Sequence, residues 1–170
     1  MNIPPYQNFP VLRGDKVSLR PIEFGDLQHI LEISFYNAIP ASTVEEALTM
    51  QDKIHQDYRN GTSIHWGIFD NRSNKIVGTC GYYRGFTDGA GELGCVLLPP
   101  FYGNGFMTAA MEIAMEFGRN TMKLNRIFAI TTASNIKAIQ LLHRLNFSLI
   151  AELEADDLEF EWNGNGIKTD

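Results

Sequence analysis

The sequence is short of several things, and each shortage excludes something. Two cysteines in 170 residues are too few for a disulfide framework. Cys80 and Cys95 sit among apolar neighbours in segments that read as strands, which predicts buried, reduced thiols in a cytoplasmic protein. Basic residues are outnumbered, 14 Lys and Arg against 20 Asp and Glu, for a net charge of −6. A nucleic-acid binder carries a basic surplus or stripe, so no nucleic acid is expected and a cationic or neutral partner fits better. Any anion site in such a chain must lean on backbone N–H groups. Long apolar runs are missing: stretches such as Cys95-Val96-Leu97-Leu98 fall far short of the ~20 residues a membrane helix needs. No membrane partner is expected. Met1–Pro10 has three prolines and no basic segment, so it reads as a loose arm rather than a signal peptide. His29, His55, His65 and His143 are scattered without ligand spacing, and no metal is expected. There is no Gly-x-x-x-x-Gly-Lys-Ser/Thr, and no Gly-x-Gly-x-x-Gly follows a first strand, which excludes a P-loop and leaves a dinucleotide fold unsupported.

What is present reads as a single domain, 1–170, with its core at about 16–162. The chain is 44% hydrophobic and 20% charged, enough for a real core and unlike a disordered chain. Lys16–Pro21 alternates as a first strand. Asp26 is placed as N-cap of a helix carrying Leu27, Ile30, Leu31 and Phe35 until Pro40 breaks it. Thr43 with Glu46 makes a capping box for a helix through Leu48, Ile54 and Tyr58, stopping at Asn60-Gly61. Ser63–Asp70, Lys75–Tyr83 and Gly91–Leu97 read as three strands, the last stopped by Pro99-Pro100. A glycine-rich turn, Tyr102–Gly105, opens a long helix that lines up Met107, Ala110, Met111, Ala114 and Phe117. Arg126–Thr131 is a buried strand. Ser134 and Asn135 are cap residues for a helix with Ala138, Ile139, Leu142 and Leu145, and Asn146 suits a left-handed C-cap. Phe147–Leu153 and Leu158–Trp162 are the last strands, and the polar tail from Asn163 to Asp170 is expected to fray. The order β-α-α-β-β-β-α-β-α-β-β suggests an α/β fold with a mixed sheet covered on both faces.

The informative stretch is strand, Pro-Pro, glycine turn, helix. A helix N-terminus offers unpaired N–H groups and a partial positive charge, and glycines before it let a ligand approach the backbone. Gly103 and Gly105, with Thr108 in the first turn, suit a phosphate or pyrophosphate. The run from Glu92 to Ala110 resembles the acetyl-CoA-binding segment of the GNAT superfamily of N-acetyltransferases, most of all the branch that acetylates N-termini of ribosomal proteins. Leu19-Arg20-Pro21…Gly25-Asp26-Leu27, Arg126–Thr132 and Asn135–Phe147 agree with it in the same order.

The resemblance implies a mostly antiparallel central sheet with helices on both faces and a splayed strand pair holding acetyl-CoA as co-substrate. Val96, Leu97 and Leu98 would pair with the pantetheine arm, with the proline pair splaying the strand. Gly103, Asn104, Gly105, Phe106, Met107 and Thr108 would bind the pyrophosphate through main-chain N–H groups. Asn135 would sit near the sulfur end, and Glu92 at the strand start would be the base that deprotonates the amine. A strand N–H near Val96 would stabilise charge on the thioester oxygen. Some positions depart from the family pattern. Met107 stands where a small residue is usual, Asn104 where a basic one is frequent, and Ala138 and Leu142 where the general acid is usually found. Water, Tyr82 or Tyr83 remain as candidate acids.

Each of these residues has a plainer reading too: Glu92 as a paired strand-end carboxylate, Asn135 as a helix cap, and Trp66 and Trp162 as core or cleft wall. Glu152, Glu154, Asp156, Asp157, Glu159 and Glu161 fall within ten residues with no base between. They read as a solvated edge hairpin or as a lure for a cationic amine or basic peptide. The expected activity is direct transfer of an acetyl group to a primary amine in a ternary complex, the acceptor being a peptide N-terminus or a small amine and the protein a monomer or homodimer. The alternative is a non-catalytic acyl-CoA-binding or regulatory domain.

Overall fold

Two short runs, Leu12–Arg13 (β1) and Val17–Arg20 (β2), form an antiparallel pair at one edge of the sheet. The computed structural model describes residues 1–164; of the expected frayed tail, 165–170 lie outside the described residues, while Asn163 is tied to Asn146 and Ser148. The first ten residues are no loose arm. Tyr6 packs edge-on against Phe117, Phe9 meets Tyr58 and Trp66, and the Trp66 indole N–H donates to Pro10 O at 2.9 Å. These aromatic contacts strap the arm to the core.

Where a helix was expected after β2, the chain makes two 3₁₀ turns, Phe24–His29 and Leu31–Ile33. The apolar residues there, Leu27, Ile30 and Ile33, are spaced by three, which fits the tighter period. Glu23, not Asp26, is the cap, and Asp26 accepts from the Glu23 backbone N–H at 2.9 Å. Pro40 ends a small hairpin, Phe35–Tyr36 (β3) and Ile39–Pro40 (β4), turned by Asn37 and Ala38 at positive φ.

Helix α1 (Val44–Arg59) starts as expected, with Thr43 Oγ1 accepting from Glu46 N–H at 3.2 Å. The return bond from the Glu46 carboxylate goes to Ser42 N–H at 2.7 Å, one residue earlier than in a standard box. Its buried line is Ala47 and Gln51, whereas Leu48 is exposed.

Strands β5 (Ile64–Asp70), β6 (Ile76–Tyr83) and β7 (Ala90–Leu97) form an antiparallel meander. Helix α2 (Phe106–Asn120) returns the chain to β8 (Arg126–Thr132), which runs parallel to β7. Helix α3 (Ile136–Arg144) leads into β9 (Phe147–Glu152) and β10 (Asp157–Trp162). The eight-stranded order is β1-β2-β5-β6-β7-β8-β10-β9, and only the β7–β8 pair is parallel.

Cores lie on both faces. On one, α2 and α3 supply Ala110, Met111, Ala114, Leu142 and Leu145 against Trp66, Tyr82 and Leu93. On the other, Leu27 and Ile30 cover Ile22, Phe69 and Ile76. The acidic hairpin is partly neutralised. Arg126, from β8, pairs with Glu159 and with Glu161, the latter at 2.6 Å. None of the six acids lines the large cleft described below. A register shift between Glu159 and Phe160 irregularises the β9 edge, a feature that discourages edge pairing. The Arg126 pairs support the solvated-edge reading for Glu159 and Glu161.

Contact between α2 and the sheet depends on Gly118. A Cβ there would overlap the Tyr82 hydroxyl, which donates to Ala114 O at 2.9 Å. Gly118→Ala is expected to lose about 1–3 kcal/mol of stability in denaturant unfolding; a variant as stable as wild type contradicts this packing.

Candidate active site

The site begins where two strands part. Pairing of β7 with β8 covers only Ala90↔Arg126, Gly91↔Ile127 and Glu92↔Phe128. Beyond Glu92, β7 stays in register with β6 to Leu97, and Leu98 N–H donates to Val77 O at 2.9 Å. Strand β8 instead follows β10, from Phe128↔Glu161 to Thr132↔Asp157. The two strands thus part beyond Glu92 while each keeps its ladder on the far side. The proline pair is not its cause: the gap opens well before Pro99, which starts a 3₁₀ turn, Pro99–Phe101.

Antiparallel alternation fixes which backbone groups face this gap. Leu98 N–H points to β6, so Val96 and Gly94 do too. The N–H and C=O groups of Cys95 and Leu97 are then left facing the gap, while Leu93 turns its own toward Phe128 at the last β7–β8 pair. Of the three residues expected there, Val96 and Leu98 turn their main chain to β6 and Leu97 turns its own to the gap, beside Cys95, whose place follows from counting alternate residues along the strand.

At the mouth of the gap, Gly103 and Gly105 take positive φ of 76° and 74°. Gly105 is the N-cap of α2 and supplies no side-chain cap. The N–H groups of Phe106, Met107 and Thr108 are thus the free first-turn donors. Asn104 braces the loop by donating to Phe101 O and Tyr102 O at 3.3 and 3.1 Å. The Lys16 ammonium, from just before β2, donates to Asn104 O at 2.7 Å. No local sequence signal pointed to Lys16, which lies 88 residues away in the chain.

A cleft of about 1420 Å³ joins these parts. Gly103, Gly105, Met107 and Thr108 from the loop and α2, Val96, Leu97 and Glu92 from β7, and Asn135 at the start of α3 all line it. Asn104, Phe106 and Leu98 stand outside the lining. Asn135 caps α3, its Oδ1 accepting from Ala138 N–H at 3.2 Å, so the cap reading holds while Nδ2 has no acceptor among the described residues. Glu92 is nearly buried, and its Oε1 is paired with the Arg84 guanidinium. Its Oε2 has no partner among the described residues.

Beside Glu92 the sheet face is polar. Tyr83 is its cross-strand partner and lines the cleft, its ring packing where a Cβ on Gly94 would sit. Burial pushes the Tyr83 phenol well up, with Cys80, Cys95 and Glu92 adding to it, so it stays protonated. Tyr82 is on the opposite face, fully buried against α2. His65 rings against Tyr83 at 5.7 Å. Its Nδ1, like Ser63 Oγ, is buried without a hydrogen-bond partner. Trp66 is core, and neither it nor Trp162 lines the cleft. Cys95 faces Cys80 across β6 and β7, and burial followed by the Cys80 contact pushes its thiol well up. Such a thiol is a poor nucleophile at neutral pH. No group of three or more potential metal ligands occurs among the described residues.

The sequence model of the GNAT acetyltransferase domain matches residues 16–148. The chain belongs to the GNAT acetyltransferase family. The GNAT chain is 25% identical over 147 residues to an uncharacterized N-acetyltransferase, YoaA, of Bacillus subtilis (strain 168), covering 82% of this chain and 83% of that one. It is 25% identical over 146 residues to spermidine N(1)-acetyltransferase of Escherichia coli (strain K12), covering 81% and 75%. A Vibrio cholerae structure described provisionally as a ribosomal-protein-serine acetyltransferase superposes with a TM-score of 0.76 at 14% identity, covering 89% and 95%. As a GNAT enzyme, this protein is an N-acyltransferase with acetyl-CoA as co-substrate.

The cleft face carries a pH signature. Burial, reinforced by His55, pushes the folded His65 imidazole down to about 4 from 6.5. The unfolded chain therefore binds the proton first as pH falls, and folding stability drops from pH 6.5 toward 4. His65→Gln is expected to give a shallower loss of unfolding free energy between about pH 6.5 and 5; an unchanged slope contradicts the burial assigned to His65.

Proposed function

We propose that this GNAT domain transfers the acetyl group of acetyl-CoA directly to a primary amine, with both substrates in one cleft. The observation that carries this is continuity. The strand gap, the uncapped start of α2 and the polar face around Glu92 open into the same space of about 1420 Å³. A gap faced by the N–H and C=O groups of Cys95 and Leu97 suits an extended, amide-bearing chain such as pantetheine. The α2 donors of Phe106, Met107 and Thr108 suit the pyrophosphate, and Asn135 Nδ2 stands at the other lip. Acetyl-CoA supplies the activated acyl group.

The chain's own residues then have distinct tasks. Glu92 Oε2 takes the proton from the amine, directly or through water, while Arg84 fixes the carboxylate through Oε1. The Cys95 N–H faces the carbonyl oxygen of the thioester. Tyr83, protonated and cleft-facing, returns a proton to the sulfur; Tyr82 is committed to Ala114 O. With the Cys95 thiol raised, no acyl-cysteine step is needed. Ala138 and Leu142 then need no acid of their own. Two acceptor classes are supported by relatives and neighbours. Spermidine is the substrate named for relatives at 25% identity, and a peptide N-terminus is suggested by the ribosomal-protein neighbour.

The test is thiol release from acetyl-CoA with spermidine, short peptides and small amines as acceptors. Glu92→Gln is expected to lower kcat about 100-fold or more with coenzyme A affinity retained. Tyr83→Phe is expected to lower kcat about tenfold or more, and Tyr82→Phe to leave it unchanged. Turnover of Glu92→Gln equal to wild type from pH 6 to 9 removes Glu92 as the base. Absence of thiol release with every acceptor, despite coenzyme A binding, supports a non-catalytic domain instead.

A further inference from the structure

The loop before α2 has no cation of its own. Asn104 occupies the position where a basic side chain would serve, and the first turn of α2 has no charged residue. A helix N-terminus alone offers roughly half a positive charge, little against the several negative charges of a coenzyme pyrophosphate and ribose phosphate. Two ammonium groups reach this loop from elsewhere. Lys16 Nζ donates to Asn104 O at 2.7 Å, lies 5.8 Å from the centre of the Phe106 ring, and would be 3.2 Å from a Cβ placed on Gly105. Lys137, on the first turn of α3, places Nζ 5.7 Å from the centre of the Tyr102 ring and lines the cleft. Lys137 thus stands at the cleft, and Lys16 stands beside the loop at Gly105, outside the cleft lining.

Neither is neutralised. Among the described residues the ion pairs involve Arg84 and Arg126 only. An ammonium has three donors, and Lys16 uses one. In a chain of net charge −6, two unpaired lysines converging on one loop with free helix N–H groups make a local positive spot. The Lys16–Asn104 bond also fixes where that charge sits, so little ordering is left for binding.

We propose that Lys16 and Lys137 clamp the phosphate groups of coenzyme A, replacing the cation absent at Asn104. This rests on the acetyl-CoA reading above. Lys16 takes an anionic oxygen at the Gly105 side through its two open donors. Lys137 closes over the cleft beside Tyr102.

Calorimetric titration separates this from a purely structural role. The probes are coenzyme A and pantetheine, which lacks the phosphates. Lys16→Met and Lys137→Met are each expected to weaken coenzyme A about tenfold, the loss of roughly one charge-assisted hydrogen bond, and to leave pantetheine unchanged. Lys16→Arg is expected to keep most of the affinity, and added salt to weaken wild type more than either Met variant. Coenzyme A affinity unchanged in both Met variants overturns the proposal. So does an equal loss for pantetheine, which would make Lys16 a loop brace. Should Lys16→Met unfold, Lys137→Met and Lys16→Arg carry the same comparison. Wild-type protein that binds neither probe overturns the acetyl-CoA reading itself, whereas binding pantetheine as tightly as coenzyme A overturns the clamp alone.

Discussion

The parting of β7 from β8 is the constraint on which the rest depends. Three parallel pairs hold the strands together at one end, and past Glu92 each follows another neighbour. Backbone groups left inside a sheet without a ladder partner are costly unless something else bonds them. Here they face a cleft, so a ligand with its own amides is the natural partner. The same geometry places the uncapped start of α2 at the mouth of the gap, because α2 is the connection that carries the chain from β7 to β8. In the proposed reading, amide chain and phosphate are gripped by main chain on adjoining elements, with few side chains involved.

Charge is distributed accordingly. Arg126 balances Glu159 and Glu161 on the hairpin, and Arg84 holds Glu92. Lys16 and Lys137, without an acidic partner among the described residues, stand beside the loop before α2. On the acceptor side the sheet face bears Tyr83, His65 and Ser63 instead of aliphatic residues, two of them with buried atoms that lack a protein partner. A polar face of this kind costs folding energy and is tolerated where substrates are handled.

Much of this was legible in the amino-acid order. The Pro-Pro-x-x-Gly-x-Gly stretch, the Thr43 cap and the Asn135 cap each act within a few residues, so the sequence exposes them directly. Leu27, Ile30 and Ile33 fit both a 3.6 and a 3.0 period over a short run, which is why 3₁₀ turns were read as a helix. Tyr6 and Phe9 are strapped down only by partners far along the chain. Lys16 reaches Asn104, and Arg126 reaches the acidic hairpin, through sheet neighbours that no local pattern announces. Which of Val96, Leu97 and Leu98 offers its main chain to the gap depends on one inter-strand bond, from Leu98 to Val77. Tyr82 and Tyr83 are adjacent in sequence, yet the pleat sends one to the core and the other to the cleft.

The most direct test of the central claim is residue-resolved amide hydrogen exchange with and without coenzyme A. The account predicts that saturating coenzyme A slows exchange at the amides of Cys95, Leu97, Phe106, Met107 and Thr108, while Val96 and Leu98, already bonded to β6, change little. Unaltered exchange at Cys95, Leu97 and the first turn of α2 under saturation would contradict a main-chain grip at the strand gap.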